Sequence, residues 1–201
     1  MKTIFFAMPN GKFDGIFPSP VLDEMRTRYR IIDAPVPDTA DSEFVSRHIA
    51  EANVLVTSWG TPQLDGDILT EAERLELVVH AAGSIRPVVS ETFWERGVTI
   101  TSCARAIADG VAEFCLGLTI TCSKRAFWYA LQVREGAWPK GNHVFGPPFE
   151  IYRQDVGIVG AGYVGRKFIS LLKPFGCNIL LYDPYVTAGE ADGLGVEKAD
   201  R

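Results

Sequence analysis

The sequence predicts an α/β protein in two parts, each built on a parallel sheet. Short apolar runs alternate with amphipathic segments through the first hundred residues, which is the pattern of successive strand and helix units. After Asp109 the pattern changes to one long, nearly all-apolar segment, and a strand that runs into a glycine-rich turn begins at Asp155. We therefore assign residues 1–105 to the first domain and residues 106–201 to the second.

The predicted elements of the first domain alternate along the chain. The strands are the short apolar runs Thr3–Ala7, Tyr29–Ile32, Val54–Thr57, Leu77–His80 and Val98–Thr101. The helices fall between them, at Val21–Arg28, Asp41–Ala52, Asp67–Ala72 and Glu91–Arg96. The last helix has the clearest ends, because Ser90 is placed to cap its first turn and Gly97 to end it in a left-handed conformation.

The long apolar segment runs from Gly110 towards Lys124. Apolar residues all round a helix imply burial on several sides, as between two domains. No uninterrupted apolar stretch reaches the length of a membrane-spanning helix. An irregular loop rich in glycine and proline is expected from Gly136 to Pro148.

The net charge and the positions of the cysteines indicate which kinds of ligand the protein binds. The formal net charge is -5 and the pI is near 5.3, which argues against a surface for nucleic acid or anionic membranes, since both need clustered Lys and Arg. The four cysteines form neither a CxxC pair nor a zinc-type spacing, so we expect no metal site. A cytoplasmic protein with a small-molecule partner is the expectation.

A glycine-rich turn carries the clearest chemistry. The apolar strand Asp155–Val159 runs directly into Gly160-Ala-Gly162-Tyr163-Val164-Gly165, which opens a helix. In such a turn the first glycine permits the tight bend, the second lets the backbone approach a pyrophosphate, and the third lets helix and strand pack closely. The N–H groups and the dipole at the start of the helix then attract phosphates.

An acidic residue after the next strand selects the cofactor. The helix ends near Pro174, a strand follows at Asn178–Tyr182, and Asp183 comes directly after it. A carboxylate at this place accepts hydrogen bonds from the adenosine ribose hydroxyls and repels a 2'-phosphate, so NAD is favoured over NADP. Arg105 either reaches the cofactor phosphates or forms an ordinary ion pair.

Three segments resemble the D-isomer-specific 2-hydroxyacid dehydrogenases. The stretch from Val156 to Tyr185, with its glycine turn and its Leu-Tyr-Asp-Pro-Tyr end, is similar to the nucleotide-binding core of that family. Upstream, Val111-Ala-Glu-Phe114 resembles the family's interdomain helix, and Arg134-Glu-Gly-Ala-Trp138 resembles the segment that leads into its second domain.

The resemblance implies a flavodoxin-like substrate domain, followed by a Rossmann domain for NAD. It implies hydride transfer between the nicotinamide and a 2-hydroxy or 2-keto acid, by a catalytic His, Glu and Arg that would lie beyond Arg201. We therefore assign no catalytic residue, and expect a C-terminally truncated chain whose first domain lacks its return segment. Each mononucleotide-binding half of a Rossmann domain needs three strands, and only two are expected in this chain.

Two loops of the first domain are the candidates for substrate contact. Ligands of open α/β sheets bind at the carboxyl ends of the strands, and the resembling family presents backbone N–H groups there to a carboxylate. The candidate residues are Ser58, Trp59, Gly60, Ala82, Gly83 and Ser84. Simple turn chemistry explains the two serines equally well. His80, beside the second loop, is expected to be a buried structural residue, and Arg86 a solvated loop arginine.

The sequence thus predicts an NAD-dependent oxidoreductase acting on 2-hydroxy acids. Two alternatives stay open: an NAD-binding regulatory protein of the corepressor kind, and an inactive fragment. The family resemblance also implies a homodimer built across the long helix and the arm from Gly136 to Phe149.

Overall fold

The computed structural model describes residues 1–9, 13, 15–32, 38, 40–138 and 146–200. The chain forms two compact units, Met1–Ala104 and Arg105–Arg201. Each unit has its own parallel sheet and its own buried core. Of the predicted loop from Gly136 to Pro148, residues 139–145 lie outside the described residues.

The first unit is built on a five-stranded sheet in which every ladder is parallel. The spatial order β2-β1-β3-β4-β5 is the flavodoxin-like order of a doubly wound sheet. The predicted α/β class is confirmed. The strands are β1 (Thr3–Ala7), β2 (Arg30–Ile31), β3 (Val54–Thr57), β4 (Leu77–His80) and β5 (Thr99–Ser102).

Side-chain caps fix the helices that connect these strands. The helices are α1 (Ser19–Arg28), α2 (Ser42–Ile49), α3 (Gly66–Glu71) and α4 (Glu91–Glu95). Asp41, Asp65 and Ser90 each accept a hydrogen bond from the third backbone N–H of the helix that follows. Gly97, just beyond α4, has φ 68°. The predicted cap and stop of this helix are therefore confirmed.

The core of the first unit is divided between the two faces of its sheet. Side chains alternate along a strand, so Phe5 joins one buried cluster with Val45 and Ile49 of α2. Its neighbours Ile4 and Phe6 join a second cluster on the opposite face. The sheet is therefore covered on both faces, as in doubly wound folds.

The long apolar segment forms one helix, α5 (Ala104–Ser123), which begins earlier than predicted. The expectation of burial on several sides is wrong for the described residues. Ala108 and Ala112 are buried and Leu116 packs against the core of the second unit, whereas Phe114 is 66% exposed. A second helix, α6 (Ala126–Arg134), follows and was not predicted.

Within the described part of the chain, α5 is also long and apolar enough, by length and composition, to cross a membrane. The sequence prediction considered only apolar stretches without interruption. The helix α5 is apolar enough on average, although it contains Asp109 and Glu113. A single helix of this kind is weak evidence for a membrane span.

The second unit contains a three-stranded parallel sheet in the order β6-β7-β8. The expectation of only two strands is wrong, because β8 pairs Glu197 with Leu180 and Lys198 with Leu181. This strand is two residues long and both are charged, so it lacks the apolar run that reveals a strand. The elements are β6 (Asp155–Val159), α7 (Tyr163–Leu172), a 3-10 turn (Lys173–Phe175), β7 (Asn178–Tyr182), α8 (Ala188–Leu194) and β8 (Glu197–Lys198).

Candidate cofactor-binding site

The glycine turn joins the end of β6 to the start of α7 and is tied to β7. Gly160 has φ 94°, a conformation that residues with side chains rarely adopt. Its N–H donates a hydrogen bond of 2.8 Å to the carbonyl of Tyr182, the last residue of β7. The turn therefore lies at the carboxyl edge of the sheet, where ligands of open α/β sheets bind.

The other two glycines of the turn differ in what surrounds them. A Cβ at Gly165 would overlap the carbonyl oxygen of Gly160, so only glycine lets α7 approach the turn this closely. A Cβ at Gly162 would meet no atom within 4 Å. The protein needs Gly165 for its own packing, whereas the missing side chain at Gly162 leaves space for a ligand.

The start of α7 offers backbone N–H groups to that space. Gly162 is the N-cap residue and has no side chain with which to cap the helix. The first backbone N–H groups of a helix have no acceptor within it, and they form the positive end of its dipole. Tyr163, Val164 and Gly165 make up this first turn, and the Tyr163 side chain is 61% exposed.

Asp183 follows β7 and is hydrogen-bonded to the glycine turn. Its Oδ2 accepts from the N–H of Ala161 at 2.7 Å, and its Oδ1 accepts from the N–H of Tyr185 at 2.8 Å. These backbone hydrogen bonds, that of Ala161 first, lower the pKa of Asp183. The carboxylate is therefore ionised at neutral pH, and because a carboxylate has about four acceptor positions it can still accept from a further donor.

A cation and a second carboxylate lie near Asp183. Nε of Arg166 donates to the carbonyl of Ala161 at 2.8 Å, so Ala161 is bonded to Asp183 through its N–H and to Arg166 through its carbonyl. Glu190 accepts at Oε2 from the N–H and the hydroxyl of Thr187, which lowers its pKa. The charge of Arg166 contributes to the lowered pKa of both carboxyl groups.

A cleft of about 370 Å³ lies beside the start of α7. Its lining comprises Arg105, Ala108, Asp109, Tyr163, Arg166, Lys167 and Ser170. The ion pair in this cleft joins Lys167 to Asp109 at 2.8 Å, and the hydrogen bond raises the pKa of Lys167. Arg105, the alternative phosphate contact, lines the same cleft as Tyr163.

Comparison with known proteins shows which family the chain resembles. Residues 116–201 match the family model described as the NAD binding domain of the D-isomer specific 2-hydroxyacid dehydrogenases. The chain is 26% identical over 178 residues to D-3-phosphoglycerate dehydrogenase of Methanocaldococcus jannaschii, which covers 89% of the chain and 33% of the relative. The chain is therefore similar to the D-isomer specific 2-hydroxyacid dehydrogenases, and its residues 116–201 match their NAD binding domain.

A second curated relative has a higher sequence identity and is also longer than this chain. A glyoxylate/hydroxypyruvate reductase of Arabidopsis thaliana is 32% identical over 164 residues, which cover 79% of the chain and 49% of the reductase. The chain thus spans between a third and a half of the length of these two curated relatives.

The fold is shared with solved structures. A protein of Pyrococcus horikoshii matches with a TM-score of 0.76 and 20% identity, over 100% of this chain and 58% of that one. At this identity the likeness concerns the fold alone. It agrees with the predicted α/β class and with a Rossmann-like second unit.

NAD is the cofactor of this dehydrogenase domain, and the residues of the turn fit it. The open space at Gly162 and the uncapped start of α7 suit a pyrophosphate, and the ionised Asp183 suits ribose hydroxyls. The predicted cofactor residues lie together at this edge of the sheet: Gly160, Gly162, Tyr163, Val164, Gly165 and Asp183.

The first predicted substrate loop, after β3, is held by its own polar groups. Ser58 is buried: its N–H donates to Oγ1 of Thr61 at 3.0 Å, and its hydroxyl donates to the carbonyl of Ala81 at 3.3 Å. Oγ1 of Thr61 in turn donates to the carbonyl of Ala7. The parts of this loop that reach solvent belong to Trp59 and Gly60.

The second predicted substrate loop, after β4, is attached through His80. Nδ1 of His80 shares a hydrogen bond of 2.9 Å with Oγ1 of Thr57, and the ring is also bonded to the backbone of Ser84. Burial lowers the pKa of His80, so the ring is neutral at neutral pH. Ala82 is buried, while Gly83 is half-buried and Ser84 is exposed.

Sequence reasoning did not single out Ala161, Arg166 and Glu190. Ala161 occupies a position at which the glycine pattern specifies no residue, and Arg166 follows the last glycine of the turn without any pattern of its own. Glu190 did carry a signal, because Thr187 three residues before it completes a capping box.

Proposed function

We propose that this chain is part of an NAD-linked oxidoreductase that interconverts a 2-hydroxy acid and its 2-keto acid. Bound NAD(H) supplies or accepts the hydride, and C2 of the acid is the other partner. The observation that carries the proposal is the hydrogen bond between Asp183 and Ala161 next to the open space at Gly162. It brings an acceptor for ribose hydroxyls and a site for phosphates to one edge of the sheet.

We assign the substrate carboxylate to the two loops of the first unit. The buried hydrogen bonds of Ser58 and His80 hold these loops in place, and we assign the contact with the carboxylate to the backbone near Gly60, Gly83 and Ser84. A Cβ at Gly83 would meet no atom within 4 Å, so a side chain there enters open space next to the loop. This position therefore gives a probe of the loop that leaves the fold intact.

Titration with NADH tests the cofactor site. Gly162→Val places a side chain in the open space, so NADH affinity is expected to fall by more than about tenfold with no change in unfolding. Gly189→Val in α8 is the matched control, since a Cβ there also meets no atom. A chain that binds NADH equally well with either substitution would contradict the site.

Measurements of enzymatic turnover test the proposed catalytic activity separately from cofactor binding. NADH oxidation is followed with a panel of 2-keto acids that differ in side chain, for the whole protein that contains this chain and for its Gly83→Val variant. An increase in KM for the acid, with unchanged NADH affinity, is expected for the variant. NADH binding by the whole protein without turnover of any acid would contradict the proposed activity and favour a regulatory role.

We also propose that the protein is a cytoplasmic homodimer with a small-molecule substrate, and without nucleic-acid or membrane partners. Large apolar side chains are exposed on α5, on α6 and just after α6: Phe114, Phe127 and Trp138. Part of the arm predicted for this interface, residues 139–145, lies outside the described residues. Analytical ultracentrifugation of the wild type and of Phe114→Glu checks the assembly, and a monomeric wild type would contradict it.

A further inference from the structure

Three charges surround the end of β7: the carboxylates of Asp183 and Glu190 and the guanidinium of Arg166. Asp183 and Arg166 are bonded to the same residue, Ala161, one at its N–H and the other at its carbonyl. Glu190 is placed on the first turn of α8 by its hydrogen bonds with Thr187. The contacts fix all three groups to the backbone around the proposed ribose site.

Arg166 keeps most of its hydrogen-bonding capacity after its contact with Ala161. That contact uses Nε, and the residue is exposed. A guanidinium has five N–H donors, so both terminal nitrogens can still meet an anion. Glu190 is likewise exposed, and both of its side-chain hydrogen bonds with Thr187 involve Oε2.

A 2'-phosphate is the part of a cofactor that this cluster can distinguish. NADP(H) differs from NAD(H) by this group, which carries a charge of about -1.5 to -2 at neutral pH. A carboxylate at the ribose repels the phosphate, and an arginine nearby accommodates it. In this protein both kinds of group lie against one glycine turn.

We propose that Arg166 and Glu190 adjust the selectivity between NADH and NADPH in opposite directions, Arg166 admitting the 2'-phosphate and Glu190 opposing it. The proposal rests on the proposed cofactor site. Asp183 makes NADH the preferred cofactor, and Arg166 offsets enough of the negative charge for NADPH to bind measurably. Selectivity is thus set by the balance of three charges.

The test measures dissociation constants of NADH and NADPH for the wild type and three variants. Arg166→Gln keeps an N–H donor for Ala161 but removes the charge, so NADPH binding is expected to weaken about tenfold and NADH binding by no more than about twofold. Arg166→Lys retains the charge and is expected to restore NADPH binding. Glu190→Gln keeps the capping box and is expected to strengthen NADPH binding about threefold.

The salt dependence of NADPH binding distinguishes an electrostatic role of Arg166 from a purely structural one. Because exposed charges are screened, the effect of Arg166→Gln on NADPH should shrink at about 1 M salt, where the Debye length is about 3 Å. A purely structural role for Arg166 would change both cofactors by the same factor and would not respond to salt.

Two results would overturn the inference about cofactor selectivity and leave the proposed function intact. One is a wild type that binds NADH but shows no measurable NADPH binding. The other is a parallel change of both dissociation constants in Arg166→Gln. A wild type that binds neither cofactor overturns the proposed function as well, so the two failures are distinguishable.

Discussion

The carboxyl edges of the two sheets are held together by different kinds of contact. In the first unit, buried side chains bond across neighbouring strands, as Thr57 does with His80 and Thr61 with the carbonyl of Ala7. In the second unit, the backbone of the glycine turn is bonded to Tyr182 and Asp183. The first edge therefore uses its side-chain polar groups internally, whereas the second leaves the N–H groups at the start of α7 open to a ligand.

This difference decides how much of each edge a sequence reveals. A turn built from backbone contacts imposes a fixed spacing of glycines, which is visible in the chain. A network of side chains joins residues far apart in sequence, and no local pattern marks it. Three substitutions and one pH titration test the contrast between the two edges, and the expected effect decreases from the first to the last.

Gly165→Ala is expected to have the largest effect. Its Cβ would overlap the backbone oxygen of Gly160, and no side-chain rotation relieves such a contact. We expect the free energy of unfolding to fall by about 3 kcal/mol in urea denaturation. Gly162→Ala is the control and should unfold as the wild type does. Equal stability of the two variants would mean that the turn and α7 can separate without cost.

Thr57→Val tests the side-chain network of the first unit. The substitution keeps the shape of the residue but leaves Nδ1 of His80 buried without its partner. We expect the free energy of unfolding to fall by about 2 kcal/mol. Thr57→Ser retains the hydroxyl and should lose only about 1 kcal/mol, for the missing methyl group. A Val variant as stable as the wild type would show that the network contributes nothing.

Asp183→Ser tests the edge of the second unit. The serine loses the charged acceptor for Ala161 and for the ribose hydroxyls, so NADH affinity should fall about tenfold and the discrimination against NADPH should relax. Calorimetric titration with both cofactors measures this. Asp192→Ser, on the exposed surface of α8, is the control and should bind like the wild type. An unchanged preference for NADH over NADPH would show that a residue other than Asp183 contacts the ribose.

The pH dependence of stability gives the smallest effect. Burial lowers the pKa of His80, so below its ordinary pKa of 6.5 the unfolded chain binds a proton that the folded protein does not. This contribution to stability is full above that pH and is lost as the pH falls below it. Urea midpoints at about pH 7.5 and 5.5 should differ less for His80→Gln than for the wild type. If the shift in urea midpoint between the two pH values is the same in both proteins, the pKa of His80 does not differ between the folded and unfolded states.

The fold was largely predictable because most strands are apolar runs bounded by turn residues. β1, β3, β4, β6 and β7 have the predicted bounds. β8 was missed because two charged residues form a strand only through their pairing with β7. α5 was expected to be covered on several sides, but its apolar composition does not say which face a neighbour covers.

The candidate site was predictable where backbone geometry demands particular residues. The glycine spacing and the position of Asp183 follow from the needs of a tight turn and a strand end. The roles of Arg166 and Glu190 depend on which segments the fold brings together, and the internal bonds of Ser58 depend on a residue in another strand. Such contacts have no signature in the local sequence.

The parallel ladders of both sheets have a consequence for the kinetics of folding. Parallel strands cannot be joined by a tight hairpin, so Asp155 pairs with Asn178 and Ile4 with Val54 only after long connections close. Non-local pairing of this kind slows folding. The connection between β6 and β7 contains the glycine turn, so we expect the cofactor edge to form together with the pairing of these two strands.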